Sequence, residues 1–278
     1  MANETTSTTL DDLFANIILQ ARFTAEEQSL MAGLITRYDI GNVAGKTIQV
    51  PKYPAIAAAD LTEGTDMSAT EVSTTSVTCT IGEVGAQVVL TDLATMGAGN
   101  PAQELGTVLG NAIATKMDKD IIALFDGFSA SLGAAAQEIT VADLFKAAAT
   151  LRANKVTGPM AAVVHPYHAY QLSANLTNTF ANPNGGDAQN EAMRNGFVGS
   201  IGGIDVYQSA NITVDASGDA KGAVFAPESL CIAMKRDFNL ETERNASLRA
   251  FELNATAVYG VAELDDSYGV EMYFDATL

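Results

Sequence analysis

Long hydrophobic runs, cysteine, histidine and positive charge are all scarce in this 278-residue chain. No apolar stretch approaches the ~20 residues that a transmembrane helix needs, so no membrane span is expected. Residues 1–12, MANETTSTTLDD, have neither the basic start nor the apolar centre of a secretory signal, so none is expected there. Without one, the Asn-x-Ser/Thr triplets at Asn175, Asn211, Asn245 and Asn254 carry little meaning. The two cysteines, Cys79 and Cys231, lie far apart and complete no motif. Reduced structural thiols are the default, and a disulfide framework is not expected. The chain has 15 lysines and arginines scattered among 33 aspartates and glutamates, for a formal charge of −18. Tight phosphate binding needs clustered basic groups, so direct nucleic-acid recognition is not expected. An acidic surface repels polyanions and favours solubility.

Catalytic patterns are missing as well. His165 and His168 are the only histidines. A spacing of three can bring two imidazoles onto one helical face, but Pro166 interrupts the pair and no cysteine or spaced carboxylate completes a zinc set. A strand-end histidine with a satisfied hydrogen bond is the plainer account. Ser200 fails as a nucleophile elbow because Val198 stands where the first glycine is required. Gly196, Gly199, Gly202 and Gly203 miss the dinucleotide fingerprint, since the first two are three apart, and no Walker pattern is present. A tight turn explains these glycines. Glu263, Asp265, Asp266, Glu271 and Asp275 form an acidic stretch without calcium-loop spacing. Solvent-facing turn and strand positions account for most of them, and a divalent-ion site shared between subunits is the alternative. No catalytic residue, no cofactor and no metal site is assigned, and the chain is not expected to be an enzyme.

What is there belongs to a folded protein. The composition is 47% hydrophobic and 17% charged, which is globular and not disordered. The length suits one large domain or two modest ones. The organising stretch is Asn100 to Phe128, read as one long helix. Asn100 is a good N-cap, Pro101 fits the first helical position and Gln103 completes a capping-box spacing. Leu105, Val108, Leu109, Ala112, Ile113, Met117, Ile121, Leu124, Phe125 and Phe128 make an apolar stripe. Glu104, Thr107, Asn111, Thr115, Asp118, Lys119 and Asp126 are expected on the wet face, and Gly127 is a plausible stop.

Before that helix, Leu10 to Asp39 has helical character in two short pieces. One carries the cluster Leu13, Phe14, Ile17 and Ile18, and the other opens on a Thr24–Glu27 capping box. They are either ordinary short helices or an arm lying on a neighbouring subunit. Lys46 to Tyr53 alternates like a strand, with Pro51 placing it at an edge. Leu61 to Gly64 reads as a turn, and Val72 to Leu90 resumes the strand pattern with bends at Gly82 and Gly85. These pieces make a long hairpin. About 15 residues at ~3.3 Å each reach about 50 Å, and an isolated hairpin of that length cannot bury itself. It needs another surface, from its own domain or another chain.

After the helix, Ser129 to Gln137 reads as a linker. Thr140 to Asn154 reads as a helix capped by Thr140 and Asp143, with Val141, Leu144, Phe145, Ala148 and Leu151 buried. Met160 to Val164 reads as a central strand, Pro166 to Leu176 as a helix, and Asn178 to Asn190 as a loop. Further strands are expected at Ile204 to Gln208, Ala223 to Ala226 and Leu230 to Met234, so Ile139 to Lys235 forms a mixed α/β unit. From Phe238 the pattern is β, with Phe251, Leu253, Ala255, Ala257 and Tyr259 alternating. A turn at Asp265 to Gly269 leads to a last strand, Val270 to Phe274. These late strands are expected to pair with Lys46–Tyr53 and Ala86–Thr91 beneath the long helix.

This order of parts resembles the major capsid proteins of tailed bacteriophages, with the HK97-type fold. The similarity is carried by Lys46-Thr47-Ile48-Gln49-Val50-Pro51, Leu61-Thr62-Glu63-Gly64, Val89-Leu90-Thr91-Asp92, the helix Asn100–Phe128, Gly199-x-x-Gly202-Gly203 before Val206 and Ser209, and Arg249 to Phe274. It implies an α+β fold: an N-arm (1–45), an extended β-hairpin loop (46–95), a long spine helix on an antiparallel sheet forming the peripheral domain (96–138 and 237–278), and a mixed α/β axial domain (139–236). It further implies pentamers and hexamers in an icosahedral shell around double-stranded DNA, held without sequence-specific binding. The implied assembly contacts are the loop tip (Leu61, Thr62, Glu63, Gly64, Thr65, Asp66, Met67, Ser68), the N-arm (Leu13, Phe14, Ile17, Ile18) and the axial tip (Asn182, Pro183, Asn184, Gly185, Gly186). A virion location after assembly in the host cytoplasm, a separate scaffolding protein and a portal are expected. Some relatives weld subunits through a lysine on the extended loop. Ala55 to Leu90 contains no lysine, so noncovalent shells are expected. An encapsulin-like cellular compartment on the same fold, and a soluble α/β hydrolase or ligand-binding domain built on Ile139–Lys235, are the alternatives.

Overall fold

Two sheets share one long helix. The computed structural model describes residues 29–41, 44–58, 60–64, 66–67, 69–93, 102–180 and 199–277. The helix α1 spans Ala102–Ile122 and tightens into a 3-10 segment, Ala123–Gly127. The α-helical part is therefore shorter than the stretch to Phe128 expected from sequence, and Gly127 ends the 3-10 turn. At 1.5 Å per residue its 21 residues span about 32 Å. Leu109, Ile113, Met117 and Ile121 are buried as the periodicity predicts. The stripe is rotated at its margins, however. Val108 and Ala112 face solvent, while Gly106, Gly110, Ala114 and Asp118 are buried. Glycine and alanine there let the helix lie close to the sheet below.

That sheet has four strands in the order β1-β10-β11-β4: β1 (Thr36–Asp39), β10 (Leu230–Asn245), β11 (Ala250–Glu263) and β4 (Gly82–Thr91). β1 runs parallel to β10, and the other pairs are antiparallel. The alternation read in Leu253, Ala255, Ala257 and Tyr259 is the buried face of β11. Leu109 of α1 packs with Leu240, Leu253 and Ala255.

The second sheet has six strands, β5-β12-β9-β6-β8-β7. These are β5 (Ser131–Leu132), β12 (Gly269–Asp275), β9 (Asp219–Phe225), β6 (Met160–Val164), β8 (Ile204–Gln208) and β7 (Ser200–Ile201). Every residue of β6 is buried, because both of its faces are covered. Met160, Ala162 and Val164 pack with Leu144, Leu151 and Leu172, while Ala161 and Val163 turn to the cluster of Phe125, in the 3-10 segment after α1, and Phe225 of β9. The covering helices are α2 (Val141–Ala153) and α3 (Pro166–Phe180). The Thr140–Asp143 cap forms as read: the Thr140 N–H and hydroxyl both donate to Asp143, at 3.1 and 2.6 Å. Phe145, expected inside, is 49% exposed.

Six other expectations are corrected. Thr36–Asp39 is a strand, not the end of a helix, because its alternating side chains find the free edge of β10; Met31–Gly33 is a 3-10 turn. Lys46–Tyr53 does not join the sheet under α1. Its strand β2 (Thr47–Lys52) pairs only with β3 (Thr75–Thr80), in a two-stranded sheet of their own. The last strand β12 pairs with β9 and β5, not with the hairpin. Leu230–Met234, read as part of the α/β unit, is the start of β10 in the four-stranded sheet. The supposed linker after α1 contains β5, and α3 continues through Asn178 to Phe180, into the stretch read as loop.

Candidate assembly interface

The hairpin leaves the body at β2 and returns at β3. Thr47 pairs with Thr80 and Lys52 with Thr75, in unbroken antiparallel register. Val77, Cys79 and Ile81 face inward while Thr78 and Thr80 face out, the alternation read from sequence. Every described residue from Pro51 to Ser76 is exposed. Large apolar groups are among them: Tyr53 is 70% exposed, Ile56 58%, Leu61 66% and Met67 73%. The turn expected at Leu61–Gly64 is present at Glu63-Gly64, where Gly64 takes a left-handed φ of 82° that suits glycine. Of the expected tip contacts, Leu61, Thr62, Glu63, Gly64, Asp66 and Met67 lie together on this projection, and Thr65 and Ser68 lie outside the described residues. The N-arm residues Leu13, Phe14, Ile17 and Ile18 and the axial residues Asn182 to Gly186 are also outside them.

The base of the hairpin is fastened by contacts that sequence reasoning missed. Lys52 pairs with Asp265 at 2.6 Å. Burial alone would raise the Asp265 carboxyl, but Lys52 and the Ser267 hydroxyl and N–H outweigh it and hold it below the usual range. Lys235 donates to the Gly45 carbonyl at 2.6 Å, and Arg236 pairs with Glu83 at 2.8 Å. Gly260 of β11 is where β3 lies against the sheet, since a Cβ there would collide with the Thr80 carbonyl oxygen. Asp92, at the end of β4, is gripped by both Arg244 guanidinium nitrogens at 2.7 Å, which hold its carboxyl low.

The chain entering from the N-terminal side is held differently. Asp118, expected on the wet face of α1, is 1% exposed. It accepts from the Ser29 hydroxyl at 3.2 Å, the Met31 N–H at 3.3 Å and Asn211 Nδ2 at 3.5 Å. Burial pushes its carboxyl up, against those hydrogen bonds. Ser29 also stands at the rim of a groove of about 390 Å³ lined by Gly33, Ile113, Met117, Met234 and Phe238.

No site on the described surface offers catalytic chemistry. His168 is fully buried on α3, and its Nε2–H donates to the Phe274 carbonyl at 3.2 Å. Burial pushes both histidines down, His165 and His168 alike. Their ring centroids are 6.2 Å apart. Among the described residues no group of three or more His, Cys, Asp or Glu is arranged to hold a metal ion. Of the acidic stretch, Asp265 is engaged by Lys52, Asp266 by Ser129 and Glu271 by Lys221. A second groove, of about 330 Å³, is bordered by Asp126, Asp215, Asp219, Lys221 and Tyr273. Its polar groups already satisfy one another: Lys221 pairs with Asp126, and the Tyr273 hydroxyl donates to Asp215 at 3.0 Å. That hydrogen bond pushes the Tyr273 phenol up to about 12. Among the described residues no helix is long and apolar enough to cross a membrane.

The phage capsid protein family matches residues 76–271. The chain belongs to that phage capsid protein family. It is a structural protein of a virion shell, not an enzyme. No curated protein matches its sequence. Among solved structures, the capsid of cyanophage P-SCSP1u is 16% identical and superposes with a TM-score of 0.68, over 88% of this chain and 87% of that one. A Mycobacterium phage Che8 chain is 19% identical with a TM-score of 0.67, over 82% and 85%. A virus-like particle from Pyrococcus furiosus is 12% identical with a TM-score of 0.62, over 93% and 98%. The capsid protein thus has the α+β capsid fold, and homo-oligomeric assembly follows from membership in a family of shell proteins.

Proposed function

We propose that this capsid protein is the major coat subunit of an icosahedral, double-stranded-DNA phage head, built from pentamers and hexamers. The carrying observation is the exposed stretch from Pro51 to Ser76, with its large apolar side chains in water. Exposed apolar surface of that extent marks a protein-contact site, and a neighbouring copy is the surface it lacks. In this reading Leu61 to Ser68 lie across an adjacent subunit. Leu13, Phe14, Ile17 and Ile18 pack as an arm against a neighbour, and Asn182 to Gly186 point toward the capsomer centre. The five-part division of the chain is kept, except that β12 is assigned with the axial sheet and the start of β10 with the peripheral one, according to their pairing.

The formal charge of −18 suits an inner wall that contains DNA by geometry and does not grip its phosphates. Absence of lysine between Ala55 and Leu90 favours noncovalent shells. A separate scaffolding protein and a portal are proposed partners, with assembly in the host cytoplasm. Electron microscopy of the purified chain, with and without its scaffold, tests the reading: closed particles are expected, and a monodisperse monomer that never assembles overturns it. The same fold leaves open a second reading, an encapsulin-like compartment shell around cargo. Analysis of particle contents separates the two, since DNA supports the phage head and an enclosed enzyme supports the compartment.

A further inference from the structure

Cys79 and Cys231 come from different sheets and meet in one buried cluster with Ala233 and Ala262. The strand register explains the meeting. Ala233 of β10 stands opposite Gly260 of β11, and Cys231 opposite Ala262. Because Gly260 has no side chain, β3 lies directly on it, and a Cβ there would sit 3.1 Å from Cys79 Sγ. Cys231 is the diagonal neighbour of Gly260 on the same face, and diagonal pairs are within side-chain reach. The two cysteines share this cluster, are unbridged and are at most 1% exposed.

We propose that this pair is a modification site: hydrogen peroxide, a small two-electron oxidant, converts it to an intramolecular disulfide that ties the hairpin base to the core sheet. The Cys79 sulfur, on the projecting element, is reached first when the hairpin lifts. It attacks one peroxide oxygen, the O–O bond breaks, and a sulfenic acid and one water are left. The Cys231 sulfur then attacks the Cys79 sulfur, the S–O bond breaks, and a second water departs with the Cys231 proton. Both sulfurs are oxidised and the peroxide is reduced to two waters. Hydrogen bonding to Cys79, with burial, pushes the Cys231 thiol up, and the same contact pushes the Cys79 thiol down. The linkage does not depend on the shell reading. Its use does: in a virion, the bond would pin the extended loop once the particle leaves a reducing cytoplasm.

The test treats the folded full-length chain with hydrogen peroxide, then unfolds it, alkylates free thiols and maps peptides without reduction. The expected result is a mass lower by two hydrogens, loss of both alkylation sites together, and a linked Cys79–Cys231 peptide that a thiol reductant releases. C79S and C231S each leave no linked peptide. Protection of residues 53–74 from proteolysis should rise several-fold on oxidation in the parent chain and in neither variant. Independent oxidation of single cysteines, dimers on non-reducing gels, or thiols that remain free under conditions where hydrogen exchange shows β3 opening would each overturn the proposal. None of those outcomes bears on whether the chain forms shells.

Discussion

The interior around Phe225 and the projection around Met67 follow opposite rules. Phe225 is fully buried, with its ring centroid 5.6 Å from that of Phe125, in a cluster drawn from α1, β9, β10 and β11. Met67 is 73% exposed in a stretch where every described residue meets solvent. A side chain inside contributes by removing apolar area from water within one molecule. A side chain on the projection contributes nothing of that kind until another surface covers it. One chain therefore carries a self-sufficient body and an exposed part whose packing, in the proposed reading, is deferred to assembly. The contacts at Gly260, Lys52 and Asp265 form the border between them.

The contrast can be broken in four places. Phe225→Ala removes a fully buried ring and should cost about 3–5 kcal/mol, seen as a lowered denaturant midpoint of the unassembled chain. An unchanged midpoint would mean that the two-sided core does not hold the body together. Gly260→Val places a side chain against the Thr80 carbonyl oxygen and Cys79. Overpacking there should cost about 1–3 kcal/mol and free the hairpin, so that residues 53–74 are cleaved faster by protease while α1 stays protected.

The ion pair at the border has a weaker, pH-dependent effect. The folded pKa of Asp265 lies below its unfolded value, through Lys52 and Ser267 despite burial. Its contribution is therefore full above the unfolded value and is lost as pH falls through the folded one. Loosening of the hairpin is expected on acidification below the ordinary carboxylate range, and Asp265→Asn should remove that step from the proteolysis profile. A partly exposed pair of this kind is worth about 0.2–1 kcal/mol at neutral pH. The smallest effect on the isolated chain belongs to Leu61→Ser with Met67→Ser. Stability should stay within about 0.5 kcal/mol while particle yield collapses, read by melting and by light scattering. A large loss of monomer stability would show that the tip packs within its own subunit.

Much of the body was legible from local pattern. The Thr140–Asp143 cap, the all-apolar Met160–Val164 and the alternation from Leu253 to Tyr259 each report how much of an element is buried, and each is found as read. The partners were less legible. Thr36–Asp39 looked helical because its neighbours do, and its fate was decided by the free edge of β10. Asp118 looked solvated because an aspartate on an amphipathic helix usually is. Donors from Ser29, Met31 and Asn211, all distant in sequence, made its burial tolerable. Leu61, Thr62, Glu63, Gly64, Asp66 and Met67 are exposed, as a hairpin too long to cover itself implies, and the proposed contacts of this tip would be made with a second molecule.

Periodicity and capping were enough to yield most of the elements and a hairpin too long to cover itself, and the order of those parts carried the resemblance that implied the α+β capsid class. Those are properties of short stretches, whose buried face depends only on residue spacing. Which strands share a sheet, why β12 leaves the hairpin for β9, and how Cys79 and Cys231 come to share one buried cluster required the folded molecule. Such contacts depend on the register of strands far apart in the chain, and register is set by the packing of the whole body.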